Sequence, residues 1–362
     1  MEGKYQSTVR FALVRSQRAL LRAALRPLVR WSPLNDACDG YTIVIGCRSD
    51  LIPLLRANLI TLQRQDQMGL HRIILVIDAP VAVVPRLATT LRSEFRSLPL
   101  DFVFYSTWQH RFARWINWAW VYSWMSWSLG IASSQTRHVI LHDLDAMLIR
   151  NDILRERFEA ITTRGHQFIG ERYYHGNGVD RNDHLASTYE LVLDATFLRS
   201  RFQPIDLFNH VTRVGGRSID YDTLLWVQTQ AGESSVLPID ADDMMHPSQM
   251  ICQYTELVER GIQPERQPNL PMIPYFYSVG GDTSALTELT QMMAESADGS
   301  VAFFGRRLDL SVLSLDHALW LRDQSYRLER AVCNSIRPIV SEYFQALLRL
   351  AERNDERRRA AA

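Results

Sequence analysis

The stretch that decides the fold is HVILHDLDAML, His138 to Leu148. Its apolar run, Val139-Ile140-Leu141, reads as a buried strand that carries the chain straight into Asp143-Leu144-Asp145. Side chains two apart on an extended chain share a face, so both carboxylates can be aimed at one place. Two such anions repel unless a cation sits between them or one keeps a proton. A divalent metal is one answer, and a catalytic carboxylate pair is another.

Strands and helices alternate before this stretch. YTIVIGC (Tyr41–Cys47) is a short β-branched run, LIPLLRANLITLQRQ has helical spacing, and HRIILVIDAP is a second strand closed by Asp78 and Pro80. A helix near Pro85–Phe95 and a strand at Asp101–Ser106 follow. Such alternation implies a mainly parallel sheet covered by helices, with ligands outside the carboxyl ends of the strands. Arg48, Asp78 and the Asp143/Asp145 pair stand just past those ends. Later, TYELVLDATFL and SSVLPID read as strands and IDYDTLLWVQTQ as a helix after a polar start. The expected organisation is a basic amphipathic arm over 1–35, an α/β body over 36–252 and a mostly helical region over 253–362.

Composition narrows the function. With 362 residues, 46% hydrophobic and 22% charged, the chain can bury a large core, and its zero formal net charge gives no global case for nucleic acid. Lys4 is the one lysine, which excludes a P-loop or a Schiff base in the folded body. The four cysteines show no CxxC spacing, so a reducing, cytoplasmic compartment is expected. No secretory signal is visible. From Gly3 to Asn35 there are seven bases and no acid, at a spacing suited to an amphipathic helix that Pro27 ends. Such a helix packs on its own domain or makes a peripheral contact with the inner membrane face. The uncharged Trp115–Thr136 stretch spreads its tryptophans throughout, unlike a membrane span, and reads as a buried aromatic helix.

Three Asp-x-Asp spacings occur: Asp143/Asp145, Asp220/Asp222 and Asp240/Asp242. The first has the best context, the end of a central strand. It suits Mg²⁺ or Mn²⁺, hard cations that bind oxygen and neutralise a departing diphosphate. It also resembles the first motif of haloacid-dehalogenase-type phosphatases, but Ala146-Met147 replaces their Gly-Thr and no lysine lies downstream. A non-catalytic scaffold that binds a membrane or partner through the arm and the Trp-rich stretch is the other alternative.

From about Tyr41 to His246 the arrangement resembles the GT-A fold of nucleotide-sugar-dependent glycosyltransferases, an α/β, Rossmann-like fold with a mixed, mainly parallel sheet. The resemblance rests on ILVIDAP, on the aromatic segment before Asp143-Leu144-Asp145, and on YDTLLWVQTQAGESSVLP. It implies a sugar transferred from a nucleotide donor, a UDP-sugar, to a glycan, lipid or protein acceptor. Asp143 and Asp145 would hold Mn²⁺ or Mg²⁺, with His246 as a third ligand and His142 in support. Gly46, Arg48 and Asp78 would meet the nucleotide, with Arg111, Arg114 and Arg137 as further phosphate clamps. Asp220 or Asp222 would serve as general base or orient the donor sugar; Asp222 is preferred, against a role as helix cap. Tyr174, His175 and Asn177, in the polar aromatic stretch after the metal motif, would receive the acceptor.

Overall fold

The computed structural model describes residues 3–232 and 234–361. Met1, Glu2, Glu233 and Ala362, which the expected segments include, lie outside the described residues. In chain order the elements begin α1 (Thr8–Leu25), β1 (Cys38–Cys47), α2 (Ile52–Gln63), β2 (Leu70–Ile77), α3 (Leu87–Glu94) and β3 (Leu100–Phe104). Next come α4 (Thr107–Ile116), α5 (Ala119–Ser133), β4 (Thr136–Leu141), β5 (Met147–Leu148), α6 (Ile153–Arg164), β6 (Phe168–Gly170), β7 (Leu191–Asp194) and α7 (Ala195–Arg201). They continue with β8 (His210–Val214), β9 (Arg217–Tyr221), α8 (Leu225–Gln228), β10 (Ser235–Val236), β11 (Met244–Met245) and α9 (Met250–Arg260). The last are α10 (Met272–Val279), α11 (Ser284–Glu295), β12 (Ser300–Phe303), β13 (Arg306–Asp309), α12 (Leu315–Cys333) and α13 (Pro338–Ala361).

These elements form two compact units. The first takes the chain through Asp50, Asp66–Asp143 and Asp152–Ile239. Its sheet has the order β10-β6-β7-β4-β1-β2-β3. β1, β2, β3 and β4 run parallel, and β7 is antiparallel to both β4 and β6. The architecture is thus mixed α/β and mainly parallel. β2 lies on one side of β1 and β4 on the other, so the strand order reverses at β1. That is the topological switch where ligands enter an open parallel sheet.

The strands form because Ile43, Val44, Ile45, Ile73 to Ile77 and Val139 to Leu141 are β-branched or aliphatic and fully buried. α5 covers β1 and β2 with Trp124, Met125 and Ile131. It approaches closely at Gly130, where a Cβ would stand 2.2 Å from Val44 Cγ1.

Several expectations need correction. The aromatic stretch is not one buried helix: Asn117 takes a left-handed φ of 50° and separates α4 from α5. Trp124 and Trp127 are buried, but Trp115, Trp118 and Trp120 are exposed. TYELVLDATFL gives only four strand residues, because Asp194 accepts the Phe197 N–H at 2.8 Å and starts α7. IDYDTLLWVQTQ opens as strand β9, paired with β8 across Gly215-Gly216, whose φ values are 55° and 83°. Its helix is only Leu225–Gln228, and SSVLPID contributes the two-residue β10.

The second unit takes Leu51–Gln65, Leu144–Asn151 and the chain from Asp240. α10, with all eight residues buried, packs against α2, α11 and α12, and α13 packs on α11 and α12. Gly280 ends α10 where a Cβ would stand 2.2 Å from Pro53 O. The ribbon β12–β13 interrupts the helices. No helix among the described residues is long and apolar enough to cross a membrane.

Candidate functional site

The strands set the side chains at the switch point. β1 ends at Gly46 and Cys47, and a Cβ on Gly46 would come within 2.8 Å of Ser126 Cβ. Packing of α5 therefore accounts for this glycine. Past β1, Arg48 forks onto Asp50 through Nε (3.0 Å) and Nη2 (2.9 Å). The backbone N–H of Ser49 donates to Asp78 Oδ1 at 2.7 Å. Asp78 ends β2 in a buried position, and burial pushes its carboxyl above the ordinary range against the opposing pull of Ser49 and Arg48. Arg48 and Asp78 thus stand together, as the sequence suggests.

β4 hands over to His142, which is fully buried and donates its backbone N–H to Val44 O at 3.0 Å. Its Nδ1 is in hydrogen-bond contact with the Glu190 carboxylate, also fully buried. Behind them lies Arg157, a fully buried guanidinium bonded to the carbonyls of Glu190, Ile169 and Leu237. This buried polar set fixes the backbone immediately before Asp143. Buried charges are tolerated only when paired and hydrogen-bonded, so the turn is held by partners with little freedom to move.

Asp143, Asp145 and His246 each present a ligand atom, and these atoms lie within 4.8 Å of one another. His246 Nε2 is 3.6 Å from Asp145 Oδ1. The ribbon β5–β11 explains the encounter, since pairing of Met147 with Met245 sets the residues flanking both strands side by side. Two carboxylates and one imidazole at this spacing fit a single divalent cation, with Mn²⁺ and Mg²⁺ suited to the oxygen donors. Two of the late acids are engaged elsewhere: Asp243 accepts from Arg150 Nε at 2.9 Å, and Asp242 pairs with Arg327.

The sequence gives no hint of Asn58. Its buried amide donates to Leu144 O (3.1 Å) and Ala146 O (2.9 Å), on either side of Asp145. Asn58→Ala is expected to lower stability by about 1–3 kcal/mol, because two buried carbonyls lose their donor. If the carboxylate pair holds a divalent cation, the substitution should also weaken that binding about tenfold. Thermal melting with and without Mn²⁺ measures both.

The β9 carboxylates differ sharply. Asp220 is buried, and its Oδ2 accepts from the Tyr5 hydroxyl at 2.8 Å and from Arg18 Nη2 at 3.3 Å. Arg18 is itself buried, with its guanidinium 4.7 Å from the Trp120 ring centroid. Asp222 uses Oδ1 for the Thr223 N–H (2.7 Å) and Asn209 Nδ2 (3.2 Å), and its Oδ2 has no bond among the described residues. Leu224, not Asp222, occupies the cap position of α8. Burial raises the Asp222 carboxyl above its ordinary 3.8.

Tyr174 and Asn177 join this corner. Asn177 Nδ2 donates to the Tyr174 hydroxyl at 2.9 Å, and Lys4 Nζ donates to Asn177 Oδ1 at 2.8 Å. Burial, with Asp222 and Asp220 nearby, pushes the Tyr174 phenol up to about 12. His175 is exposed, Arg111 and Arg114 lie exposed on α4, and Arg137 pairs with Asp194 at 3.0 Å.

No protein-family model and no curated protein sequence matches the chain. Its structure is similar to that of TarS 1-349 of S. aureus, over 89% of this chain and 92% of that one, at 11% identity and a TM-score of 0.37. TarS has also been solved with UDP and with UDP-GlcNAc. The galactosyltransferase LgtC, in complex with donor and acceptor sugar analogues, matches 54% of this chain and 72% of its own at 12% identity and a TM-score of 0.36. The apo-form glycosyltransferase GlyE of Streptococcus pneumoniae TIGR4 matches 45% and 36% at 15% identity and a TM-score of 0.30. Likeness this distant leaves the function to be argued from the chain's own side chains.

Proposed function

We propose that the protein is a metal-dependent glycosyltransferase that moves a sugar from a UDP-sugar to an acceptor hydroxyl. The observation that carries this reading is the convergence of Asp143 and Asp145, in the turn that follows β4 in the chain, with His246: their ligand atoms lie within 4.8 Å of one another. A divalent cation bound there supplies positive charge against the diphosphate that departs from the sugar.

The chain's own groups take the remaining roles. Asp78, held by Ser49 at the end of β2, accepts the imide N–H of a uracil. Arg48 beside it, now paired with Asp50, is a cation that a phosphate could share. Asp222 meets the acceptor hydroxyl: its Oδ2 is uncommitted among the described residues, and burial makes it a stronger base than an ordinary carboxylate. Asp220 instead anchors Tyr5 and Arg18. Tyr174 and Asn177, close to Asp222, offer a ring face and an amide to an acceptor sugar or lipid headgroup. In this reading the catalytic body spans Asp36 to Cys252.

The test is UDP release from a panel of UDP-sugars in the presence of Mn²⁺. Turnover of one sugar, stopped by EDTA, is the expected result. No turnover of any UDP-sugar, with phosphate released from phosphomonoesters instead, would replace this reading with a phosphatase.

A further inference from the structure

α1 and α4, both in the first unit, carry an apolar and basic surface that the proposed reaction does not use. α1 has two apolar faces. Phe11 and Leu25 are buried on one, with Leu21 packed against the core beside them. With successive residues about 100° apart, Val9, Leu13 and Leu20 fall together on the opposite face. They are 69%, 60% and 73% exposed. Arg10, Arg15 and Arg26 flank them and are exposed, and no acid occurs from Gly3 to Asn35.

α4 repeats the pattern with aromatic groups. Trp108, Arg111 and Trp115 are spaced three and four apart and share one face. The two indoles are 76% and 77% exposed, and no acid occurs from Phe102 to His142. The start of α4 is tied to the segment that follows α1: Gln109 Nε2 donates at 2.7 Å to Leu28 O, three residues past the end of α1.

We infer that α1 and α4 form a docking surface for an anionic lipid bilayer, with Val9, Leu13, Leu20, Trp108 and Trp115 entering the interface and the arginines meeting lipid phosphates. Side chains this large and apolar are mostly left to solvent here, even though Trp115 touches Phe112 edge-on, and grouped on two helices they mark a contact surface. Charge complementarity selects an anionic partner. The aliphatic residues select a bilayer, since Val and Leu on an outer helix face give nothing to a nucleic acid backbone but bury well among acyl chains. Tryptophan suits the headgroup level, where its ring is half apolar and its N–H stays wet. The chain would lie on the membrane without crossing it.

Flotation of the full chain with phosphatidylcholine vesicles, with and without phosphatidylglycerol, tests this inference. Binding only to the phosphatidylglycerol vesicles, weakening as salt rises, is expected. The double variants Leu13→Glu/Leu20→Glu and Trp108→Ala/Trp115→Ala should each bind at least about tenfold more weakly. All four positions are exposed, so circular dichroism should show an unchanged fold, and none belongs to the carboxylate site, so UDP binding should also persist. Failure of the wild type to float, or undiminished binding by both variants, would overturn the inference. So would capture by a single-stranded oligonucleotide without vesicle binding. Each of these outcomes would leave the proposed reaction standing.

Discussion

Replacing Asp145 with asparagine is expected to weaken manganese-dependent UDP binding at least about a hundredfold and to leave the fold intact. Asp145 is buried and stands 3.6 Å from His246 Nε2. The substitution keeps its shape but removes the charge that a cation needs. Loss of residues that merely support metal ligands costs about 10–100-fold in affinity, so loss of a ligand should reach at least about a hundredfold. Titration of Mn²⁺ with UDP present measures the effect, and a thermal melt close to that of the wild type excludes unfolding. Wild-type affinity in this variant would remove the metal assignment.

Asp222→Asn should slow sugar transfer by about 10²–10⁴-fold, the usual contribution of a positioned base. Nucleotide affinity should stay within a factor of about three, since the residue is assigned to the acceptor and not the donor. The pH profile carries the sign. Burial raises the Asp222 carboxyl above 3.8, and a base works only when deprotonated. The wild-type rate should therefore fall as pH drops through that raised value. The asparagine variant cannot titrate, so its acid limb should disappear. An unchanged rate and profile in Asp222→Asn would leave the residue with only its bonds to Asn209 and Thr223.

The central sheet is legible in the sequence because β2 and β4 carry unbroken apolar runs stopped by polar residues, as in IILVID and HVILHD, and β1 carries the β-branched run YTIVIG. The shorter ribbons are not. β5 and β11 have two residues each, too few for any period, yet their pairing brings His246 to Asp145. The break between α4 and α5 lies at Asn117, a left-handed residue with no proline or glycine beside it to announce the break. Asp220 and Asp222 look equivalent along the chain. Only Tyr5 and Arg18, more than 200 residues away, separate the anchored carboxylate from the other. Glu190 and Asn58 belong to ordinary strand and helix patterns, and their roles appear only when β7 and α2 are folded.

Calorimetric titration of the purified chain with UDP, first with Mn²⁺ and then with EDTA, separates metal-dependent nucleotide binding from any other kind. Binding that requires the metal and is lost in Asp145→Asn is the predicted result. UDP binding that is equally strong in EDTA, or no binding of UDP with Mn²⁺ present, would contradict it.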